Sequence, residues 1–101
     1  MNKTQTGELG HVRMIGERTA RAINTVHLNG NGYSINLTMP DTPIFNASVT
    51  TTGNVSSVIM KHGSNNITIR LIPRNVRSIV MSNGGRYRVR NNGTIIIERI
   101  L

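Results

Sequence analysis

Two periods divide the chain. Over its first third, Leu9, Val12, Ile15, Thr19, Ala22 with Ile23, and Val26 recur every three or four residues, the spacing that gathers side chains on one helix face. This stripe predicts an amphipathic helix over about 8–28. Thr4 or Thr6 stands where a cap is expected, and Glu8 falls in the first turn, where the helix dipole favours an anion. Arg13, Arg18 and Arg21 fall off the stripe, onto the wet face. Gly16 is out of place by propensity, costing about 1 kcal/mol relative to Ala in a helix interior. Asn29-Gly30-Asn31-Gly32 ends the helix with residues that tolerate left-handed backbone.

Beyond Gly32 the period is two. Tyr33, Ile35, Leu37 and Met39 alternate with Ser34, Asn36 and Thr38, as a strand with one buried face requires. Pro40-Asp41-Thr42-Pro43 breaks it. Further strands are expected over 44–49, 55–60, 66–72, 76–81, 86–90 and 94–101, separated by turns rich in Gly, Asn and Pro. Such short connections predict antiparallel neighbours. The expected fold class is therefore α+β in a single domain over 1–101. Its N-terminal amphipathic helix would pack on an antiparallel β-sheet built from strands over about 33–101. An all-β fold, with residues 8–28 extended, is the alternative.

Composition narrows the chemistry. Charged residues make up 16% of the 101 residues and thirteen are Ile, which is a folding rather than a disordered composition. The lack of cysteine excludes disulfides, a thiolate zinc site and a cysteine nucleophile. The opening MNKTQTGELG carries no signal-peptide core, and no apolar run approaches the ~18 residues of a membrane span, so the chain as written is expected to be soluble. Twelve Lys+Arg against four Asp+Glu give a formal charge of +8, and ten of the twelve are arginine. That bias favours recognition of phosphate or carboxylate.

Catalysis finds little to work with. Glu8, Glu17, Asp41 and Glu98 are scattered, with no spacing that suggests an acid/base pair. His11, His27 and His62 stand alone, so no metal site and no cofactor are expected. The expectation is a protein that is not an enzyme, although small basic ribonuclease toxins do work with arginine and little else. Six N-x-S/T sequons, at Asn2, Asn36, Asn46, Asn54, Asn66 and Asn92, follow from thirteen Asn among eighteen Ser or Thr and do not imply glycosylation.

The arginines carry more information. Seven of the twelve bases (Arg70, Arg74, Arg77, Arg86, Arg88, Arg90 and Arg99) fall in the last 32 residues, against the single acid Glu98. Period-two geometry projects Arg86, Arg88 and Arg90 from one face while Tyr87 and Val89 point to the other. Their spacing of about 6.5–7 Å matches successive phosphates along a nucleic-acid strand to within side-chain reach. The competing reading is a solvated edge strand whose charges discourage aggregation.

Ile67-Thr68-Ile69-Arg70 and the stretch Arg77-Ser78-Ile79-Val80-Met81-Ser82-Asn83-Gly84-Gly85-Arg86-Tyr87-Arg88-Val89 resemble the end of minor pilins of the FimT/GspH family. That ending is a strand followed by S-x-x-G-R-x-R and an apolar residue, a frame Ser82 to Val89 fits without a gap. The helix through Thr19-Ala20-Arg21-Ala22-Ile23, followed by a loop and a strand, is compatible. The resemblance implies a pilin-like fold. It also implies a parent protein anchored in the inner membrane by a hydrophobic helix that this chain does not carry, and assembled with other pilin subunits into a periplasmic or cell-surface pilus. In FimT-type members the G-R-x-R segment is associated with binding double-stranded DNA during natural transformation, which here implies Gly85, Arg86 and Arg88. Charge alone adds Arg90, Arg77, Arg74 and Lys61 as supporting contacts. An isolated domain of this kind is expected to be a monomer. The alternatives are a minor pseudopilin of type II secretion with a subunit-contact role, or a phage or virion structural protein.

Overall fold

The apolar stripe forms one side of a single long helix, α1 (Lys3–Asn29), in the computed structural model, which describes residues 3–100. Asn2 and Leu101 lie outside the described residues. Because α1 starts earlier than its periodicity indicates, Thr4 and Thr6 lie within it rather than at its cap. Val12, Ile23 and Val26 are fully buried, and Thr19 joins them by donating its hydroxyl to the Ile15 carbonyl at 2.8 Å. Gly16 also has a tertiary purpose. A Cβ at this position would come within 2.7 Å of both Ile69 Cδ1 and Met60 Cγ, so the glycine lets the helix settle onto the strands beneath.

Seven strands follow: β1 (Ser34–Thr38), β2 (Asn46–Thr52), β3 (Val55–His62), β4 (Asn65–Arg70), β5 (Ile79–Ser82), β6 (Arg86–Asn91) and β7 (Ile95–Arg99). The fold is α+β, and the presence of α1 overturns the all-β alternative. The expectation of one sheet also needs correction. The strands form two antiparallel sheets, one of three strands in the order β1-β6-β7 and one of four in the order β4-β3-β2-β5. Short connections mislead at β5–β6: only three residues separate the strands, yet they belong to different sheets. The β2–β3, β3–β4 and β6–β7 connections are true hairpins.

Asn83 explains that crossing. Its Oδ1 accepts the Phe45 N–H at 2.9 Å, while its Nδ2 donates to the carbonyls of Pro40 and Pro43 at 3.0 and 2.7 Å. The turn between β5 and β6 is thereby tied to the segment that carries the chain from β1 to β2. Both sheet-to-sheet crossings thus meet at one amide. A second tie is the parallel bridge Val76↔Ile95, with Arg77 N–H donating to the Ile95 carbonyl at 3.1 Å.

Both sheets turn an apolar face to α1. The three-stranded sheet contributes Leu37, Tyr87, Val89, Ile95 and Ile97, and the four-stranded sheet Ala47, Val49, Val58, Met60, Ile67 and Met81. Burying a side chain such as Val89 or Ile97 stabilises the fold by about 1.5–3 kcal/mol. Among the described residues, no helix is long and apolar enough to cross a membrane.

Candidate nucleic-acid interface

Strand β6 holds its arginines outward because its alternate residues are committed to the core. Tyr87 and Val89 are 2% and 0% exposed, and Asn91 is buried with them, donating Nδ2 to the Val26 carbonyl of α1 at 3.4 Å. Arg86, Arg88 and Arg90 therefore share the opposite face, as period two requires. The edge-strand reading of this segment is overturned: β6 lies at the centre of its sheet, between β1 and β7. Charge on a central strand cannot serve to blunt an edge, and the protective explanation is lost.

Register shows what surrounds the row. On the β1 side, Ser34, Asn36 and Thr38 stand opposite Arg90, Arg88 and Arg86. On the β7 side, Ile96 and Glu98 stand opposite Arg90 and Arg88. Arg88 Nε donates weakly to Asn36 Oδ1 at 3.4 Å. Arg90 chelates a single oxygen of Glu98, through Nε at 3.0 Å and Nη2 at 2.8 Å. Three arginines and one carboxylate leave a formal +2 on this face, and the carboxylate lies wholly on the β7 side. Like charges at successive outward positions repel, and Glu98 offsets only part of this, so an anion laid along β6 relieves the remainder.

Gly85 reaches the site by another route. It is buried, and a Cβ there would stand 2.6–2.9 Å from Tyr87 Cε2, Oη and Cζ. The Tyr87 ring folds back over Gly85, and its hydroxyl accepts the Ser82 N–H at 3.1 Å. The glycine makes room for the residue that locks β6 to the core.

The remaining expected contacts are dispersed. Arg77 follows the Val76↔Ile95 bridge, beside the end of β7 that carries Ile96. Arg74 lines a separate cleft with His27, Ile72 and Asn91 near the C-terminal end of α1. Lys61 is paired with Asn46 and Asn66 on the outer face of the four-stranded sheet, remote from β6 in the topology. Arg86, Arg88 and Arg90 are brought together; Arg77 lies beyond β7, separated from the row by that strand, and Arg74 and Lys61 lie elsewhere. Sequence inspection missed Glu98 as a partner of Arg90, since the pairing depends on hairpin register. It also missed Asn83, whose only visible signal was its place in a turn.

The histidines do not converge. His62 contacts the Ile44 carbonyl through Nδ1 at 2.6 Å and Glu8 through Nε2 at 3.3 Å, fastening the start of α1 to the end of β3. His11 and His27 are exposed on α1. Among the described residues, no group of three or more His, Cys, Asp or Glu could hold a metal ion.

No family profile, curated protein or solved structure matches the chain. The functional reading therefore rests on the molecule's own geometry and charge.

Proposed function

We propose that this chain is a DNA-binding domain that grips the phosphodiester backbone without reading bases, in the manner of a FimT-type minor pilin. The observation that carries the reading is the outward row Arg86, Arg88 and Arg90 on a central strand. Arg86 and Arg88 each offer a planar fork of donors to a phosphate, Arg90 adds its charge while Glu98 holds its fork, and the row follows one strand of the nucleic acid. The helix packed over antiparallel sheets, and the segment Ser82 to Val89, support the pilin reading. In that setting the parent protein is anchored by a helix upstream, the domain faces the periplasm or cell surface, and its neighbours are other pilin subunits. DNA held this way is a substrate for uptake in transformation.

Few phosphate contacts from a small domain give weak, salt-sensitive association, with a dissociation constant of about 10⁻⁴–10⁻⁶ M. The test is a double variant, R86Q with R88Q, assayed against a labelled duplex by fluorescence anisotropy. Both side chains are exposed and neither spans the core, so circular dichroism and the melting temperature should be unchanged while duplex binding is lost. Retention of wild-type affinity at about 0.1 M salt removes the assignment.

One observation favours a second reading. Glu98 already occupies Arg90, and Ile100, 37% exposed, continues that side of the sheet with an apolar residue. An acid and an exposed isoleucine beside an arginine row suit contact with a protein subunit, as in a secretion pseudopilus or a virion shell. Light scattering separates the shell protein, an oligomer in isolation, from either pilin-like domain, and a pseudopilin differs in binding duplex DNA no better than any basic protein of this charge.

A further inference from the structure

We propose that the phosphate-binding surface does not end on β6 but turns around the β1 edge onto α1, where Arg18 and Arg21 hold a second stretch of the same backbone. The inference rests on the reading of the β6 row as a DNA contact, and adds a site to it.

Direction comes from the asymmetry of the sheet. On the β7 side Glu98 lies between β6 and Arg77 and repels a polyanion crossing there, whereas the β1 side offers only Ser34, Asn36 and Thr38 and no carboxylate. A phosphodiester strand leaving Arg86 is thus guided towards β1, which is the edge of its sheet. Across that edge the next cation is already in place. Arg18 Nη2 donates to the Thr38 carbonyl at 3.2 Å, and Thr38 is the register partner of Arg86. The Arg18 guanidinium therefore stands one strand away from Arg86. That bond uses one of its five donor hydrogens.

Helical spacing extends the track. His11, Met14, Arg18 and Arg21 are separated by three, four and three residues and fall on one flank of α1. With Ile15, Glu17 and Pro40 they line an open cleft of about 360 Å³. Its apolar wall includes Met14, which is 66% exposed. Its rim holds the two arginines. Such a cleft suits a sugar–phosphate backbone, whose apolar sugar faces Met14 and Pro40 while the phosphate meets Arg18 and Arg21. Glu17 is the one carboxylate lining the cleft, and among the described residues it forms no ion pair with Arg21, which leaves that guanidinium open to a phosphate.

The test compares two charge-matched double variants over a salt series with the same labelled duplex. R18Q with R21Q removes the proposed contacts. R13Q with R70Q removes the same charge from another side of α1 and from the outer face of the four-stranded sheet. The first pair should weaken binding about tenfold and lower the magnitude of the salt slope by about 1.8, at roughly 0.9 per phosphate contact, while the control pair changes the affinity less than about twofold. R21Q alone leaves the Arg18–Thr38 bond intact and should give about half of the slope change, which separates phosphate contact from a loosened fold. Equal effects of the two pairs overturn the extension. If R86Q with R88Q abolishes binding while R18Q with R21Q matches the control, the extension alone falls. Absence of wild-type binding overturns the DNA reading and the extension together.

Discussion

Gly85 looks like part of a binding motif and behaves like part of the core. Its missing Cβ is the space that Tyr87 occupies, so its effect on the arginines is indirect: it sets the strand that carries them. Gly85→Ala is expected to destabilise the protein by about 1–3 kcal/mol through overpacking against a buried ring. For a domain of this size each kcal/mol lowers the melting temperature by about 4–8 °C, which differential scanning calorimetry resolves. Below that transition its affinity for duplex DNA should match the wild type, whereas a glycine that approached a phosphate directly would lose affinity without losing stability. Gly16 teaches the same lesson on the helix. Propensity reads it as a flaw, but the cost depends on Met60 and Ile69, which are more than forty positions away in sequence and meet it only after folding.

Elements were more legible than residues. Strand positions could be read from alternation because one face of each strand is buried, and β6 is the clearest case, with burial alternating from Arg86 through Val89. Turn residues marked three hairpins correctly. Sheet membership was not legible, because alternation shows which face is buried and says nothing about which strand lies alongside. β1 pairs with β6 across the length of the four-stranded sheet's sequence, a choice made by shared core volume and by the Asn83 hydrogen bonds. The arginine face was legible as a row, and its asymmetry was not, since Glu98 joins it only through β6–β7 register. Glu98 is part-exposed, so its pair with Arg90 contributes at most about 1 kcal/mol to stability. Glu98→Gln should therefore leave the melting temperature nearly unchanged. In the anisotropy assay it should tighten duplex binding and steepen the salt dependence by about 0.9, because Arg90 becomes available for one more phosphate. Glu8→Gln, which alters the charge equally near His62, should not steepen it.

At the scale of the whole molecule, α1 is the common roof of two sheets that share no strand. His62 fastens its beginning to the four-stranded sheet and Asn91 fastens its end to the three-stranded one. Asn83 joins the crossings beneath. With one helix and one amide serving both sheets, neither sheet has a complete core alone, and the two should open together.

Shared opening bears on how the protein ages. Asn-Gly is the dipeptide most prone to deamidate, since the glycine nitrogen can attack the asparagine side-chain amide, expel ammonia and form a succinimide that water opens to an acid. The chain has four such dipeptides, at Asn29, Asn31, Asn83 and Asn92. In each, the glycine N–H is already engaged: Gly30 with the His27 carbonyl at 3.3 Å, Gly32 with the Asn91 carbonyl at 2.7 Å, Gly84 with the Pro40 carbonyl at 3.2 Å, and Gly93 with Asn91 Oδ1 at 2.9 Å. Peptide-level mass spectrometry of protein stored with and without denaturant should show slow conversion at all four sites when folded and rapid conversion when unfolded. Fast conversion at Asn83 in the folded protein would contradict its threefold anchoring. Each event adds a negative charge, so an ageing population would lose the basic surplus that its proposed task depends on. The same hydrogen bonds that shape the turns thereby also set the working lifetime of the molecule's charge.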